Sequence, residues 1–328
     1  MKKQKKVVRA KRSRAKTSAS KYRVRNWSEY NAGLVKRGSL TLWINEDVIR
    51  AWQPAPAAKR KRGGQRRFSD SAIEALLTLR AVLHLPLRAT QGFAQSILEL
   101  LDVDLEVPCY TTLSRRGQNL AVALPTLAEG PLHAVLDSTG LKVFGEGEWK
   151  VRQHGYSQRR TWRKLHLCVD EANGEIQLAL LSDVSLDDAA AACELLPQLE
   201  RPVIQVSADG SYDKRKVYET CAAEQVVQIA IPPRHDAHIW QHGNCEARPL
   251  PHDENLRRIR AVGRTTWKHE SGYHRRSLAE TTMFRFKVTF GPSLRARKFE
   301  NQQTEARIKC AALNRMLHLA KPQSERIN

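Results

Sequence analysis

Residues 133–139 read His-Ala-Val-Leu-Asp-Ser-Thr, a short apolar run that ends in an acid, and this stretch decides the fold. It follows Gly130-Pro131, where a helical spacing of apolar residues gives way to a strand pattern. Residues 160–170 alternate polar and apolar side chains, as a half-buried antiparallel strand does. Asn173-Gly174 then supplies a hairpin turn to a third strand at 176–181. Three consecutive strands therefore begin this part of the chain.

Helices and strands alternate after these three strands. The pattern predicts a helix over 187–199, a strand over 203–210 that again ends in an acid, a helix over 214–224, and a strand over 226–231. The resulting order, βββαβαβ, is that of an RNase H-like α/β fold. We therefore expect a mixed five-stranded sheet with flanking helices.

Two acids stand at strand ends that this fold brings together. Asp137 ends the first strand, which is central in such a sheet, and Asp209 ends the fourth, which lies beside it. Taken alone, an Asp at a strand end more often forms a turn or caps a helix. Their positions on neighbouring strands favour one shared site.

A third acid lies on a later helix, in the pattern Tyr273-x2-Arg276-x3-Glu280-x6-Lys287. At about 100° per residue, these four side chains share a face roughly 60° wide. Such a pattern alone indicates a solvated helix face with an i,i+4 ion pair. Beside two strand-end aspartates, it suggests that a carboxylate holds a cation while Tyr, Arg and Lys hold phosphate oxygens.

Three carboxylates form a hard-oxygen site suited to Mg²⁺ or Mn²⁺. We expect Asp137, Asp209 and Glu280 to be both catalytic and metal-binding, with two ions about 4 Å apart serving an in-line phosphoryl displacement. A zinc site at His235-x2-His238-x3-His242-x2-Cys245 is less favoured, because its spacing is only loosely finger-like and no second Cys pair is present.

The charge balance identifies the class of partner. The 328 residues carry 55 Lys and Arg against 34 Asp and Glu, a net charge of +21. With a mean hydropathy of −0.52 and no apolar run of about 18 residues, a membrane partner is disfavoured. Six scattered cysteines are typical of reduced intracellular thiols. We expect a soluble, cytoplasmic protein that binds DNA or RNA.

The charge also suggests how the chain is divided. Arg66 and Arg67 end a basic linker suited to a phosphate backbone, and Arg115 and Arg116 lie on the third of three short helices resembling a helix-turn-helix. An ordinary helical bundle packed on the next domain is the alternative. The predicted segments are a disordered basic tail (1–26), an arm with a basic linker (27–64), a helical DNA-binding domain (65–129), an RNase H-like catalytic domain (130–318) with a short insertion (234–270), and a tail (319–328).

Taken together, these motifs resemble the DDE transposases of bacterial insertion sequences, in the group defined by Y-x2-R-x3-E-x6-K. The family named after insertion sequence five is the most similar within that group. The resemblance extends from about residue 65 to about residue 318. It rests on the acids and helix motif above and on the stretches 135–143, 147–150, 160–166 and 208–213.

The resemblance implies an enzyme that nicks transposon ends by hydrolysis and then joins the freed 3′-OH to target DNA, using Mg²⁺ or Mn²⁺. It implies that Tyr273 and Arg276 bind phosphate near the cut, and that Lys287 contacts the terminal strand. It also implies double-stranded DNA as the partner, in the form of terminal inverted repeats and target DNA. A homodimer or higher oligomer and a nucleoid-associated location are implied as well. A non-catalytic DNA-binding repressor and an RNase H-like nuclease or resolvase remain alternatives.

Overall fold

The computed structural model describes residues 21–55, 65–143, 162–241 and 249–327. The eight strands of these ranges are β1 (Lys21–Val24), β2 (Leu132–Val143), β3 (Trp162–Asp170), β4 (Ile176–Ser182), β5 (Val203–Ser207), β6 (Gln228–Ala230), β7 (Ser293–Leu294) and β8 (Ser324–Ile327). The α-helices are α1 (Trp27–Lys36), α2 (Glu46–Arg50), α3 (Asp70–Val82), α4 (Leu87–Leu100), α5 (Tyr110–Arg116), α6 (Asp188–Leu195), α7 (Arg215–Ala223), α8 (Pro251–Val262), α9 (Arg264–Glu270), α10 (Ser277–Phe290) and α11 (Phe299–Leu319). Short 3-10 turns lie at Leu40–Leu42, Gly117–Asn119, Leu196–Gln198, Gly210–Tyr212 and Tyr273–Arg276.

Side-chain caps define several helix starts. Ser69 accepts a hydrogen bond from the Ala72 amide at the start of α3, and Asp187 accepts one from the Ala190 amide at the start of α6. α4 begins at Leu87. Pro86 precedes that start, and the Thr90 hydroxyl donates to its carbonyl oxygen inside the first turn.

The main sheet has the predicted mixed topology, with strand order β4-β3-β2-β5-β6. β3 pairs antiparallel with β2 and β4, whereas β2, β5 and β6 are parallel. The RNase H-like α/β class is confirmed. A sixth strand, β7, adds to the expected five by pairing with Lys142 and Val143 at the end of β2. Two residues are too few to show an alternating pattern, so the sequence could not reveal it.

Alternating side chains of the central strand enter two hydrophobic clusters. Val135 packs in a cluster with α3, α10 and α11, whereas Ala134 and Leu136 pack in a second cluster with α6 and α7. Helices therefore cover both faces of the sheet. Asn314 of α11 binds the backbone amide and carbonyl of Ile176, which ties this helix to the first residue of β4.

The helical segment before residue 130 shares its core with the sheet. Leu76 and Leu79 of α3 belong to the same buried cluster as Val135 and Leu165 of the sheet. The Trp52 indole, from the N-terminal arm, is buried there and donates to the Glu106 carbonyl oxygen. The predicted boundary at 129/130 thus does not separate two hydrophobic cores.

The two predicted tails meet in a small sheet. β1 pairs antiparallel with β8, joining Lys21–Val24 to Ser324–Ile327. The prediction of a disordered tail over 1–26 is therefore wrong for 21–24, because each strand supplies the backbone partners that the other lacks. Residues 1–20 and most of the basic linker, 56–64, lie outside the described ranges.

Two stretches near the predicted site differ from the sequence pattern. The segment 234–270, predicted as a short insertion, contains α8 and α9, which are joined at Gly263 with a φ of 84°. The predicted single helix over 273–287 is a 3-10 turn at Tyr273–Arg276 followed by α10. No helix in the described part of the chain is long and apolar enough to cross a membrane.

Candidate active site

Asp137 and Asp209 occupy matching positions on neighbouring parallel strands. Val135 of β2 is in register with Ser207 of β5, and each aspartate lies two residues further along its strand direction. Adjacent strands are about 4.8 Å apart. The two carboxylates therefore emerge side by side, as the sequence pattern predicts.

Arg276 links Glu280 to this edge of the sheet, because its guanidinium contacts both Glu280 and Asp137. The Arg276 guanidinium forms an ion pair with Glu280 across one helical turn, and its Nη1 lies 3.5 Å from Oδ2 of Asp137. The Arg276 side chain is only 18% exposed, whereas Glu280 is 55% exposed. The predicted common face of Arg276 and Glu280 is thus present, and it faces the central strand.

The carboxylates act on one another electrostatically. Burial raises the pKa of Asp137 above its ordinary value, and the charges of Asp209 and Glu280 raise it further. The Ser138 amide and the Arg276 guanidinium oppose this rise. Burial is therefore the main cause of the raised pKa, and the two neighbouring carboxylates add to it.

Tyr273 supports Arg276 from the other side. Its ring centroid lies 5.7 Å from the Arg276 guanidinium carbon and 5.0 Å from Nζ of Lys268. Burial lowers the pKa of Arg276, but Tyr273 and the three carboxylates together raise it above its ordinary value. Arg276 is therefore a fixed positive charge at this edge. Lys287 is half-buried two turns beyond Glu280 on the same helix, about 10 Å along its axis.

Ser211, which the sequence pattern did not single out as a site residue, holds the Asp209 carboxylate. Its Oδ1 accepts hydrogen bonds from the Ser211 amide at 2.8 Å and from the Ser211 hydroxyl at 2.5 Å. The same hydroxyl lies 3.4 Å from Oδ2 of Asp188. Nζ of Lys164 donates to the other oxygen of that carboxylate, Oδ1, at 3.2 Å. The Asp-Gly-Ser spacing is the available signal, since an Asp commonly accepts from the amide two residues on.

The predicted metal ligands fit a divalent cation by chemistry. Asp137, Asp209 and Glu280 offer oxygen donors, and the negative charges of Asp209 and Glu280 both act on Asp137. As they stand, no three acidic, histidine or cysteine side chains in the described ranges are arranged to hold a metal ion. Arg276 lies between two of the predicted ligands, so an ion and this guanidinium compete for the same oxygens.

The predicted DNA-contacting arginines differ in their surroundings. Arg66 and Arg67 are exposed and pair with Asp70 and Glu106. Arg115 is exposed on α5. Arg116 is largely buried, donates to the Phe68 carbonyl oxygen and pairs with Asp70. Arg116 thus also holds α5 against the start of α3.

The predicted zinc ligands lie only partly in the described chain. His235 and His238 are present in it, but His242 and Cys245 lie outside, as do the stretch 147–150 and the first two residues of 160–166. Nearby, the buried His252 ring stacks on Trp240 and contacts Asp253. The stacking on Trp240 joins α8 to the segment before it.

Comparisons with known proteins agree on one family. A family model described as "Transposase DDE domain" matches residues 128–315, more than half of the chain, and a second model with that description matches residues 35–146. A cryo-EM structure of the piggyBac transposase synaptic complex with hairpin DNA is similar over 86% of this chain and 75% of that chain, with 11% sequence identity and a TM-score of 0.39. That TM-score is too low to support a conclusion about this chain. The longer family match includes Asp137, Asp209 and Glu280.

Proposed function

Because this chain belongs to the family of transposases with a DDE domain, an enzyme family of the polynucleotidyl-transferase type, we propose that it binds the ends of an insertion sequence, cuts them and joins them to target DNA. The Tyr273–Lys287 motif has the spacing of the Y-x2-R-x3-E-x6-K group, and within that group we propose the family of insertion sequence five. The observation that carries the proposal is the contact of Arg276 with Asp137 and Glu280, close enough to Asp209 for its charge to act on Asp137 and Arg276.

The reaction is two displacements at phosphorus. In the first, a water oxygen attacks the phosphodiester at the element end, its proton leaves to solvent, and the 3′-oxygen departs as a hydroxyl. In the second, this 3′-hydroxyl attacks a target phosphodiester and gives its proton to solvent, and the target 3′-oxygen departs and takes up a proton from solvent to become a hydroxyl. Family membership implies a divalent metal, and we assign two Mg²⁺ or Mn²⁺ ions to Asp137, Asp209 and Glu280. When bound, they supply charge to the attacking and leaving oxygens.

The protein groups have separate tasks in this scheme. Ser211 orients the Asp209 carboxylate through two hydrogen bonds. Arg276, supported by the Tyr273 ring, moves from the carboxylates to a phosphate oxygen when metal and DNA bind. Lys287 lies far enough along α10 to contact the next phosphates of the terminal strand. The exposed Arg66, Arg67 and Arg115 add contacts to the DNA backbone, and Arg116 supports α5.

The partners follow from the reaction. Two element ends must be joined to one target, so we propose that the protein works as a homodimer or higher oligomer on double-stranded DNA. The net charge of +21 supports a polyanionic substrate.

A joining assay tests the proposal. Purified protein is mixed with Mg²⁺, labelled DNA carrying the element's inverted repeats, and a target plasmid. Joined products are the expected result. Cleavage without joining would instead identify a nuclease or resolvase, and DNA binding without either reaction would identify a repressor.

A matched pair of variants makes the assay specific. Glu280→Gln removes the charge of a 55% exposed Glu that pairs with an arginine one turn away. Glu254→Gln does the same for a 56% exposed Glu that pairs with Arg257 on α8, outside the site. Only the first substitution is expected to abolish cleavage and joining. Equal activity of the two variants would overturn the assignment of Glu280.

A further inference from the structure

A separate cavity of about 340 Å³ lies between α3, α5 and the beginning of α11. The segment 295–298, which links β7 to α11, forms one of its sides. None of the residues assigned to the active site lines it. Cavities of roughly 300–1,000 Å³ hold small organic ligands, so this one is larger than a bare inorganic ion needs.

One side of the cavity is apolar. Leu77 and Ala81 of α3, Leu113 of α5 and Ile308 of α11 line it, and all four are buried. These side chains provide an aliphatic wall against which an aromatic ring can pack. Ser114 and Asn301 add hydrogen-bonding groups at its border.

The other side is cationic. Arg80, Arg295, Arg297 and Lys298 all line the cavity. Nε of Arg80 is buried without a hydrogen-bond partner, and its guanidinium lies 4.0 Å from Glu305. Burial lowers the pKa of Arg80. The charge of Glu305 opposes this decrease, and the charge of Arg295 adds to it. An anion placed here would relieve the repulsion between the two arginines.

Glu305, the carboxylate that lines the cavity, neutralises only part of this charge. Glu305 pairs with Lys309 at 2.8 Å and accepts hydrogen bonds from the Arg295 and Ala296 amides. Gln302 donates to the carbonyl oxygens of Ala296 and Arg297. These bonds fix the backbone that presents the cations, so the site is held in place before any ligand arrives.

The first turn of α11 adds to the anion preference. Lys298 is its N-cap residue and makes no side-chain capping hydrogen bond. The N-terminus of this 21-residue helix therefore presents amide donors and the positive end of its dipole beside the four cationic side chains.

We propose that this cavity binds a nucleotide, with its phosphate on Arg80, Arg295, Arg297 and Lys298 and its base against the aliphatic wall. An unpaired nucleotide of a DNA strand and a free mononucleotide share this chemistry. The DNA source rests on the proposed function of the protein, whereas nucleotide binding by itself does not.

Calorimetric titration of the full chain tests binding. Thymidine 5′-monophosphate is expected to bind more tightly than thymidine or inorganic phosphate, because only the monophosphate contacts both sides of the cavity. Arg297→Gln is expected to weaken its binding about tenfold, the typical value of one charge-assisted hydrogen bond. Arg50→Gln, which removes an exposed arginine of α2, serves as the matched control. Equal affinities of these two variants would overturn the proposal.

Two further arms identify the source and separate this proposal from the first. Ser114→Phe places a ring in the cavity and is expected to abolish monophosphate binding. If the source is DNA, a duplex with one unpaired terminal nucleotide binds the unaltered protein more tightly than a blunt duplex does, and Ser114→Phe removes that difference. If the source is free nucleotide, only the monophosphate titration changes. Glu280→Gln is expected to keep nucleotide binding, so loss of joining in that variant leaves the cavity proposal intact.

Discussion

Replacing Arg276 by Gln is expected to tighten divalent-metal binding while it reduces DNA cleavage. Nη1 of Arg276 lies 3.5 Å from Asp137, and the guanidinium also pairs with Glu280. At that separation two unit charges interact by about 5 kcal/mol at an effective dielectric constant near 20. Desolvation of a side chain that is 18% exposed offsets much of this, so a net of about 1.5–3 kcal/mol is reasonable.

A metal ion must displace this guanidinium before it can bind Asp137 and Glu280. The variant has no charge to displace, so its dissociation constant for Mn²⁺ should fall by about 10- to 100-fold. Arg276 also lowers the pKa of Asp137. Its loss raises that pKa, so metal binding in the variant should disappear at a higher pH as the solution is acidified.

Titration of Mn²⁺ by electron paramagnetic resonance at several pH values measures both effects without DNA. Arg258→Gln is the control, because Arg258 makes a bidentate pair with Glu270 outside the site. DNA cleavage should fall in Arg276→Gln because the phosphate loses its partner. Weaker Mn²⁺ binding in Arg276→Gln than in the control would refute the reasoning, since it would mean that Arg276 orients the carboxylates instead of competing with the ion.

Three other substitutions give independent tests. Ser211→Ala removes a hydroxyl that orients Asp209 and should weaken Mn²⁺ binding about 10- to 100-fold, with Ser211→Thr restoring it; unchanged affinity in the Ala variant would contradict this. Burial lowers the pKa of His166 to about 4 from 6.5, so the folded state binds fewer protons than the unfolded state between these values. Stability should therefore be lost as the pH falls, and urea denaturation at pH 7 and pH 4 should show a loss about 3 kcal/mol larger than in His166→Gln. Phe286→Ala removes a buried ring of α10 and should cost about 3–5 kcal/mol by the same measurement, whereas Phe284→Ala, at a position 67% exposed on that helix, should cost less than about 0.5 kcal/mol.

Local patterns predicted much of the fold. The apolar run over 133–139 indicates a buried strand, and the alternation along 160–170 indicates a half-buried one, because successive side chains of a strand face opposite sides. In the structure, Val135 and Leu136 accordingly enter different hydrophobic clusters. Asp187 and Ser69 stand at helix starts because their side chains accept from amides three residues on. Patterns of this kind fail for β7, which is too short to have a period.

The candidate site was predictable in part for the same reason. Arg276 and Glu280 are four residues apart, so helix geometry alone brings them together. Asp137 and Asp209 were found because a strand order could be matched to a known topology. Ser211 and Asp188 were missed, since contact between them requires the turn after β5 to meet the start of α6.

The amino-acid sequence by itself determined the strands and helices, the positions of the three acids on them, and the cationic character of the protein. These depend on backbone periods, caps and charge, which act over a few residues. The tertiary structure decided that Arg276 lies against Asp137, 139 positions away in the chain, and that α3, α5 and α11 enclose a cationic cavity. Contacts of that kind depend on how the whole core packs, because each is the sum of many small burial terms contributed by distant segments.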